Sequence, residues 1–314
     1  MPSLFFIAIF VNNYQVIIMF VNAIERVDKF TRPIHSILRN YGSTDIIPCA
    51  STMFFINDEG YAITCKHVIE GLIQPADAIN NQYHNFKQEF NAITVNGNKR
   101  RSAIKALESK YGYTQDITIQ IKNSFINCVD KMSQISWNLH PQYDLAVIKF
   151  EGFSSLLCSE FPVFVKGSSI IQQGKSLCRL GYPFPEFNNF QYNKNLDDIE
   201  WLGTGNDSSP KFPMDGIITR LIANGKDIFG IEMSTPGLKG QSGGPLFDKD
   251  GVIYGMQFAT NSLHLGFDIV NKDITVNNKK RKVSDYSFIH LGGCIHVDII
   301  KDFLKSLNIK FIEG

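Results

Sequence analysis

The chain lacks paired or clustered cysteines. Its six, Cys49, Cys65, Cys128, Cys158, Cys178 and Cys294, are scattered singly along 314 residues. Neither the CxxC spacing of zinc and redox sites nor the density of a disulfide-stapled scaffold is present. That usage predicts buried free thiols and a reducing, cytoplasmic setting. An excess of charge is lacking too. With 31 basic and 30 acidic residues the formal net charge is +1, so no global field draws the chain to nucleic acid or to an anionic membrane. Two local basic runs, Lys99-Arg100-Arg101 and Lys279-Lys280-Arg281-Lys282, read as solvated loops. No P-loop, dinucleotide fingerprint, fixed-period repeat or low-complexity tract occurs, so no nucleotide, metal or organic cofactor is expected. What is present is apolar material, 44% of residues against 19% charged, enough for a sizeable core.

Charge is also missing from the N-terminus, where the first charged side chain is Glu25. A secretory leader wants a basic start, which is absent. A membrane helix would put Asn12, Asn13, Tyr14 and Gln15 at the bilayer centre, where polar groups are costly. Those four residues split the run into Leu4–Val11 and Val16–Val21, which predicts two strands and a turn in a soluble protein. Export, anchoring, or translation from Met19 stay open as alternatives.

Residues 20–30 carry Val21, Ile24, Val27 and Phe30 at the spacing of a short amphipathic helix. A strand at Ile34–Leu38 follows Pro33. Met53–Ile56 and Tyr61–Thr64 flank Asn57-Asp58-Glu59-Gly60, a hairpin by composition. Two helices are expected at about 76–91 and 99–110, then strands at Ile117–Ile121 and Leu145–Phe150. The second half gives short strands at Ser176–Leu180, Gly216–Ile222, Ile228–Met233, Pro245–Phe247, Val252–Phe258 and Cys294–His296, and a helix at Val297–Leu307. Short strands with turn signals throughout and one terminal helix predict an all-β protein built of barrels.

Three segments can carry chemistry. In Gly240-Gln241-Ser242-Gly243-Gly244-Pro245, glycines allow a tight turn that brings the N–H groups of Gly240 and Ser242 into one concavity, an oxyanion hole beside a serine nucleophile. Alone, such a string is also an ordinary turn. In Ile63-Thr64-Cys65-Lys66-His67, a histidine directly follows a strand, where a rigid scaffold presents an imidazole that titrates near neutrality. Tyr143-Asp144-Leu145 sets a carboxylate before an apolar strand, able to orient that imidazole. The order His67, Asp144, Ser242 is that of chymotrypsin-type barrels and differs from subtilisins and α/β-hydrolases. Cys294, His296 and nearby His290 are a possible metal corner, but they read better as structural residues.

With these residues in place, the sequence resembles a trypsin-like serine peptidase of the Deg/HtrA-leaning type over roughly residues 31–308. Gly181-Tyr182-Pro183, Gly216-Ile217-Ile218-Thr219, Gly255-Met256-Gln257-Phe258-Ala259 and Gly292–Val297 add to the likeness. The resemblance implies two six-stranded antiparallel β-barrels with the active site between them. They would span 31–155, with an insertion at about 74–140, and 165–314 with the terminal helix, behind an extension at 1–30. It also implies a serine endopeptidase that hydrolyses polypeptide through an acyl-enzyme. The alternative is a silent or partner-activated peptide-binding barrel. Pro236 falls at the base of the implied specificity pocket, with Gly237, Phe258, Ala259 and Gly293 as further substrate contacts. These uncharged residues predict preference for small or medium apolar side chains before the cut. Several departures matter. Gln241 replaces the aspartate that receives a new N-terminus in trypsin, and no zymogen-like start is visible, so activation by cleavage is not expected. Phe258 (or Gln257, at an offset of one) stands where a hydroxyl usually supports the aspartate. A second insertion at 260–290, polar and basic over Asn271–Lys282, predicts a mobile loop open to control by a protein partner. No PDZ module is expected.

Overall fold

A computed structural model describes residues 19–276 and 278–314 of the chain. The two strands expected near the N-terminus lie, up to residue 18, outside the described residues. Residues 19–21 lead instead into helix α1 (Val21–Asp28), which buries Ala23 and Val27. No helix among the described residues is long and apolar enough to cross a membrane.

The first half is a six-stranded antiparallel sheet ordered β4-β1-β2-β3-β6-β5. Its strands are β1 (Thr31–Asn40), β2 (Ile46–Phe55), β3 (Tyr61–Thr64), β4 (Thr118–Phe125), β5 (Gln134–Leu139) and β6 (Ala146–Glu151). The β2–β3 hairpin turns through Asn57–Gly60, where Asn57 Oδ1 accepts from the Glu59 N–H at 3.1 Å and Gly60 has φ +85°. An L-residue is strained at that angle, hence glycine. A short helix α2 (Lys66–Val68) and a π-helical turn (Ile69–Ile73) follow β3. The expected insertion helices are α3 (Ala76–Asn91) and α4 (Gly97–Tyr111), the latter stopped by Gly112 in the left-handed region. They bury Tyr83, Phe86 and Leu107 with Tyr113 against Ile119 of β4, a small core of their own.

In the second half, strands β8 (Ser176–Gly181), β11 (Phe212–Asn224), β12 (Asp227–Met233), β13 (Pro245–Phe247), β14 (Val252–Val276) and β15 (Lys279–His296) form a closed ring. The order β13-β8-β11-β12-β15-β14 returns to β13 through its pairing with β14. Closure removes the exposed edges that an open sheet would leave. Short strands β7 (Val163–Phe164) and β16 (Ile312–Glu313) add in parallel outside β14. A separate hairpin joins β9 (Phe190–Asn193) to β10 (Asp198–Trp201). The terminal helix α5 (Val297–Ser306) buries Val297, Ile300, Phe303 and Leu304 on one stripe, and the His296 side chain caps it by accepting from the Asp298 N–H at 3.2 Å. One apolar core runs through both halves, including Phe54, Ile63 and Val147 from the first and Leu177, Leu246 and Met256 from the second.

The 260–290 insertion differs from expectation. β14 and β15 run on past the barrel as a two-stranded ribbon, paired from Asn261↔Leu291 to Val276↔Lys279. Leu263, Leu265, Phe267 and Ile269 recur every second residue and stay exposed. That period-two pattern makes a strand, and the polar tip hid it.

Far from the cleft, Asp197 at the β9–β10 turn gathers three segments. Its carboxylate accepts from Arg39 Nη1 of β1 at 2.8 Å, from Tyr83 Oη of α3 at 2.6 Å and from Tyr192 Oη of β9 at 2.7 Å. Arg39 is buried, and its guanidinium lies over the rings of Tyr83 and Tyr192.

Candidate active site

β3 and β6 pair antiparallel with Thr64 opposite Ala146. Continuing that register past the strand ends brings Asp144 beside the α2 turn that begins at Lys66. Asp144 then grips His67 at two points. Its Oδ1 accepts from the His67 backbone N–H at 2.9 Å, and its Oδ2 lies 2.6 Å from His67 Nδ1. A carboxylate on Nδ1 fixes that nitrogen as the protonated one and leaves Nε2 free to act as a base. The imidazole is half exposed, 51% against 26% for Asp144, so the ring is open to solvent.

Ser242 comes from the loop before β13. Gly240 and Gly243 on either side have φ of +91° and +90°. A Cβ on Gly243 would sit 2.0 Å from the Thr52 carbonyl oxygen and 2.5 Å from Thr64 Oγ1; one on Gly240 would sit 2.5 Å from the Tyr182 carbonyl oxygen. Only glycine fits either place. Among the described residues, the N–H groups of Gly240 and Ser242 find no acceptor, while those of Gln241, Gly243 and Gly244 donate to Leu238, Gln257 and Gln241 carbonyls.

Thr52 of β2 joins the two halves. Its N–H donates to the Ser242 carbonyl at 3.0 Å and its hydroxyl to the Gly240 carbonyl at 2.6 Å. The same hydroxyl accepts from the Tyr182 N–H at 3.1 Å, and its carbonyl accepts from Thr64 Oγ1 at 2.8 Å. The chain reaching His67 and the loop carrying Ser242 therefore hang from one residue. No hydrogen bond links Ser242 Oγ with His67 among the described residues.

Phe258 occupies a bulge of β14, where the register to β15 shifts between Gln257 and Ala259. With no hydroxyl there, Asp144 accepts only from His67 among the described residues. The residues of the implied specificity pocket are placed as follows. Gly293 faces Phe258, whose ring would be 3.3 Å from an added Cβ, whereas the neighbouring Gly292 faces Thr235 and Arg179. Successive residues of a strand point to opposite sides, so Gly292 lies on the side of Thr235 and Arg179 and Gly293 on that of Phe258. The Ala259 carbonyl is already bound by Gln257 Nε2 at 2.6 Å, and Thr260 Oγ1 donates to the Gly237 carbonyl at 2.7 Å. Behind Pro236 lies the Arg179 guanidinium, with Nη2 3.1 Å from the Pro236 carbonyl oxygen.

Cys65, His67 and Asp144 offer donor atoms within 4.8 Å of one another. Burial, and then Asp144, push the Cys65 thiol well above its ordinary value, and it donates to the Gln257 carbonyl at 3.3 Å. A thiol kept protonated is a poor metal ligand. The other possible metal corner separates by role: Cys294 Sγ lies against Gln257 Oε1, His290 pairs with Ser262, and His296 caps α5. All six cysteines are free. Sequence reasoning missed Thr52 and Arg179; a lone arginine between Cys178 and Leu180 in an apolar strand was the one visible signal.

Among solved structures, the HtrA-type protease AlgW with a tripeptide is similar at 15% identity and a TM-score of 0.46, over 91% of this chain and 62% of that one. The same protease with a decapeptide is similar at 14% identity and a TM-score of 0.46, over 91% of this chain and 66% of that one. The chain thus spans about two thirds of the length of those chains. No curated protein matches the sequence. The trypsin-like peptidase domain matches residues 51–256, well over half of the chain and including His67, Asp144 and Ser242. The chain belongs to the trypsin-like peptidase family.

Proposed function

We propose that this protein is a serine endopeptidase whose triad is His67, Asp144 and Ser242. The observation that carries the reading is the two-point grip of Asp144 on His67, which leaves Nε2 free to act as a base. Ser242 Oγ attacks the carbonyl carbon of the scissile peptide while His67 Nε2 takes the hydroxyl proton. The N–H groups of Gly240 and Ser242 hold the oxyanion. Collapse of the tetrahedral intermediate breaks the C–N bond as His67 returns the proton to the leaving amine. Water, deprotonated by His67, then hydrolyses the acyl-enzyme and regenerates Ser242.

The substrate in this reading is a polypeptide lying along β14 near Phe258. Six free cysteines support a reducing, cytoplasmic setting. A second reading, a site held inactive until a protein partner binds, is favoured by two observations. No hydrogen bond joins Ser242 to His67 among the described residues, and the Thr260–Gly237 bond ties the pocket walls together. Labelling with a fluorophosphonate, followed by peptide mapping, tests the assignment. The wild type should be labelled at Ser242, and Ser242→Ala should lose labelling and at least about 10³-fold in hydrolysis. Undiminished cleavage by the variant would refute the triad.

A further inference from the structure

We propose that Arg179 makes the specificity pocket select an acidic side chain, glutamate or aspartate, on the N-terminal side of the cut. This rests on the serine-peptidase reading above and names its substrate class. Arg179 sits mid-strand in β8, where its neighbours Leu177, Cys178 and Leu180 are core residues. It is fully buried, at 0% exposure. Nη1 donates to Gln257 Oε1 at 2.6 Å, and Nη2 to the Thr235 carbonyl at 3.0 Å, Thr235 Oγ1 at 2.6 Å and the Pro236 carbonyl at 3.1 Å. Nε has no partner. Every acceptor is neutral, and no carboxylate pairs with it among the described residues.

A guanidinium stays charged in proteins, and a buried charge without a counter-ion is costly. A cross-link between carbonyls could be made by a neutral donor at less cost, so hydrogen bonding alone does not account for an arginine here. The location supplies the missing partner. Thr235 and Pro236 lie just ahead of the nucleophile loop, Gln257 leads into the peptide-facing stretch of β14, and Gly292 forms the facing wall. An added Cβ on Gly292 would lie 2.2 Å from Nη1. Three walls thus converge on one guanidinium, and the Gln257 side chain fills the space next to Gly237, where an added Cβ would lie 2.2 Å from Gln257 Nε2. Gln257 is the group that a substrate carboxylate would have to displace from Nη1: its Oε1 accepts from Nη1 and from the Cys294 thiol, and its Nε2 donates to the Ala259 carbonyl. A substrate carboxylate entering there brings the negative charge that the site lacks, and forms a charge-assisted bond in a poorly hydrated place.

The test compares the purified full chain on peptides that differ only before the cut, Glu against its neutral isostere Gln, with Leu and Lys as further arms. We expect kcat/KM for Glu to exceed that for Gln on the order of 10–100-fold. Arg179→Gln should erase the Glu/Gln ratio and Arg179→Lys should retain most of it. Equal or better cleavage after Gln or Leu would overturn the inference. If Arg179→Gln does not fold, the wild-type ratio decides alone. Peptidyl phosphonates with Glu or Gln in that position give the same ratio as labelling rates, independent of turnover. Fluorophosphonate labelling is the control: labelling of Ser242 without acidic preference refutes the role of Arg179 only, whereas no labelling refutes the serine-peptidase reading beneath it.

Discussion

Replacing Thr52 by valine keeps shape and removes one hydroxyl. That hydroxyl, on a side chain at 0% exposure, donates to the Gly240 carbonyl at 2.6 Å and accepts from the Tyr182 N–H at 3.1 Å. Each hydrogen bond is worth about 1 kcal/mol net, and stranding its buried partner raises the loss to about 1–3 kcal/mol. The bond to Gly240 is only partly buried, so water can replace part of it, whereas the bond from Tyr182 is buried. We therefore expect a total of about 2–3 kcal/mol. At roughly 2–4 °C per kcal/mol for a chain of this size, the melting temperature should fall by about 5–10 °C. Because Gly240 supplies one oxyanion donor in the proposed mechanism, kcat should fall further than stability alone explains, on the order of 10–100-fold, with KM little changed. Calorimetry and steady-state kinetics on one peptide, well below the melting point, read both. An unchanged melting temperature with unchanged kcat would refute the role of Thr52 as the joint between the halves.

Other expectations follow from equally local facts. Gly243→Ala forces a Cβ to within 2.0 Å of the Thr52 carbonyl at φ +90° and should destabilise by more than about 3 kcal/mol; soluble, active variant protein would contradict this. Burial lowers the His35 pKa to about 4, against a smaller opposing pull from Asp207. The fold thus prefers neutral His35, and its contribution, present above pH 6.5, is lost as the pH falls from 6.5 to 4, by about 3 kcal/mol in order of magnitude. Urea titrations across that window should show the loss, and His35→Gln should flatten it. Thiol counting in denaturant should return six, with the same melting temperature with and without reductant. Replacing residues 270–282 by a short Gly/Ser linker removes ribbon that is exposed at Val270 and at Lys279–Lys282 and half-buried at Ile274. It should leave the melting temperature unchanged while altering basal turnover, and unchanged kinetics on several peptides would deny the ribbon any control.

The sequence revealed most where chemistry is local. His67 after an apolar strand, Asp144 before one, and Ser242 among glycines need no distant information to be seen, nor do α3 and α4 with their helical spacing. What stayed hidden depends on partners far along the chain. Thr52 looks like any strand threonine until residues 182, 240 and 242 arrive beside it. Arg179 means little until Thr235, Gln257 and Gly292 surround it. Strand β5 was not read, although Ile135, Trp137 and Leu139 alternate with polar residues at the strand period, because the strand is short and lies at the end of a polar insertion. The ribbon at 260–290 failed for a related reason: lysines and asparagines at its tip outweighed the two-residue rhythm of Leu263, Leu265, Phe267 and Ile269.

The shared carboxylate of Asp197 makes two additions to the fold dependent on each other over evolutionary time. Arg39 and Tyr83 are committed to it from β1 and α3, and Tyr192 from the β9–β10 hairpin. A descendant that deleted the helical insertion would uncover Arg39, and one that trimmed the hairpin would leave a buried cation without its anion. The two segments should therefore be gained and lost together. Among relatives of this chain, a short loop in place of 76–111 should come with a neutral residue at position 39 and a shortened 190–201 turn.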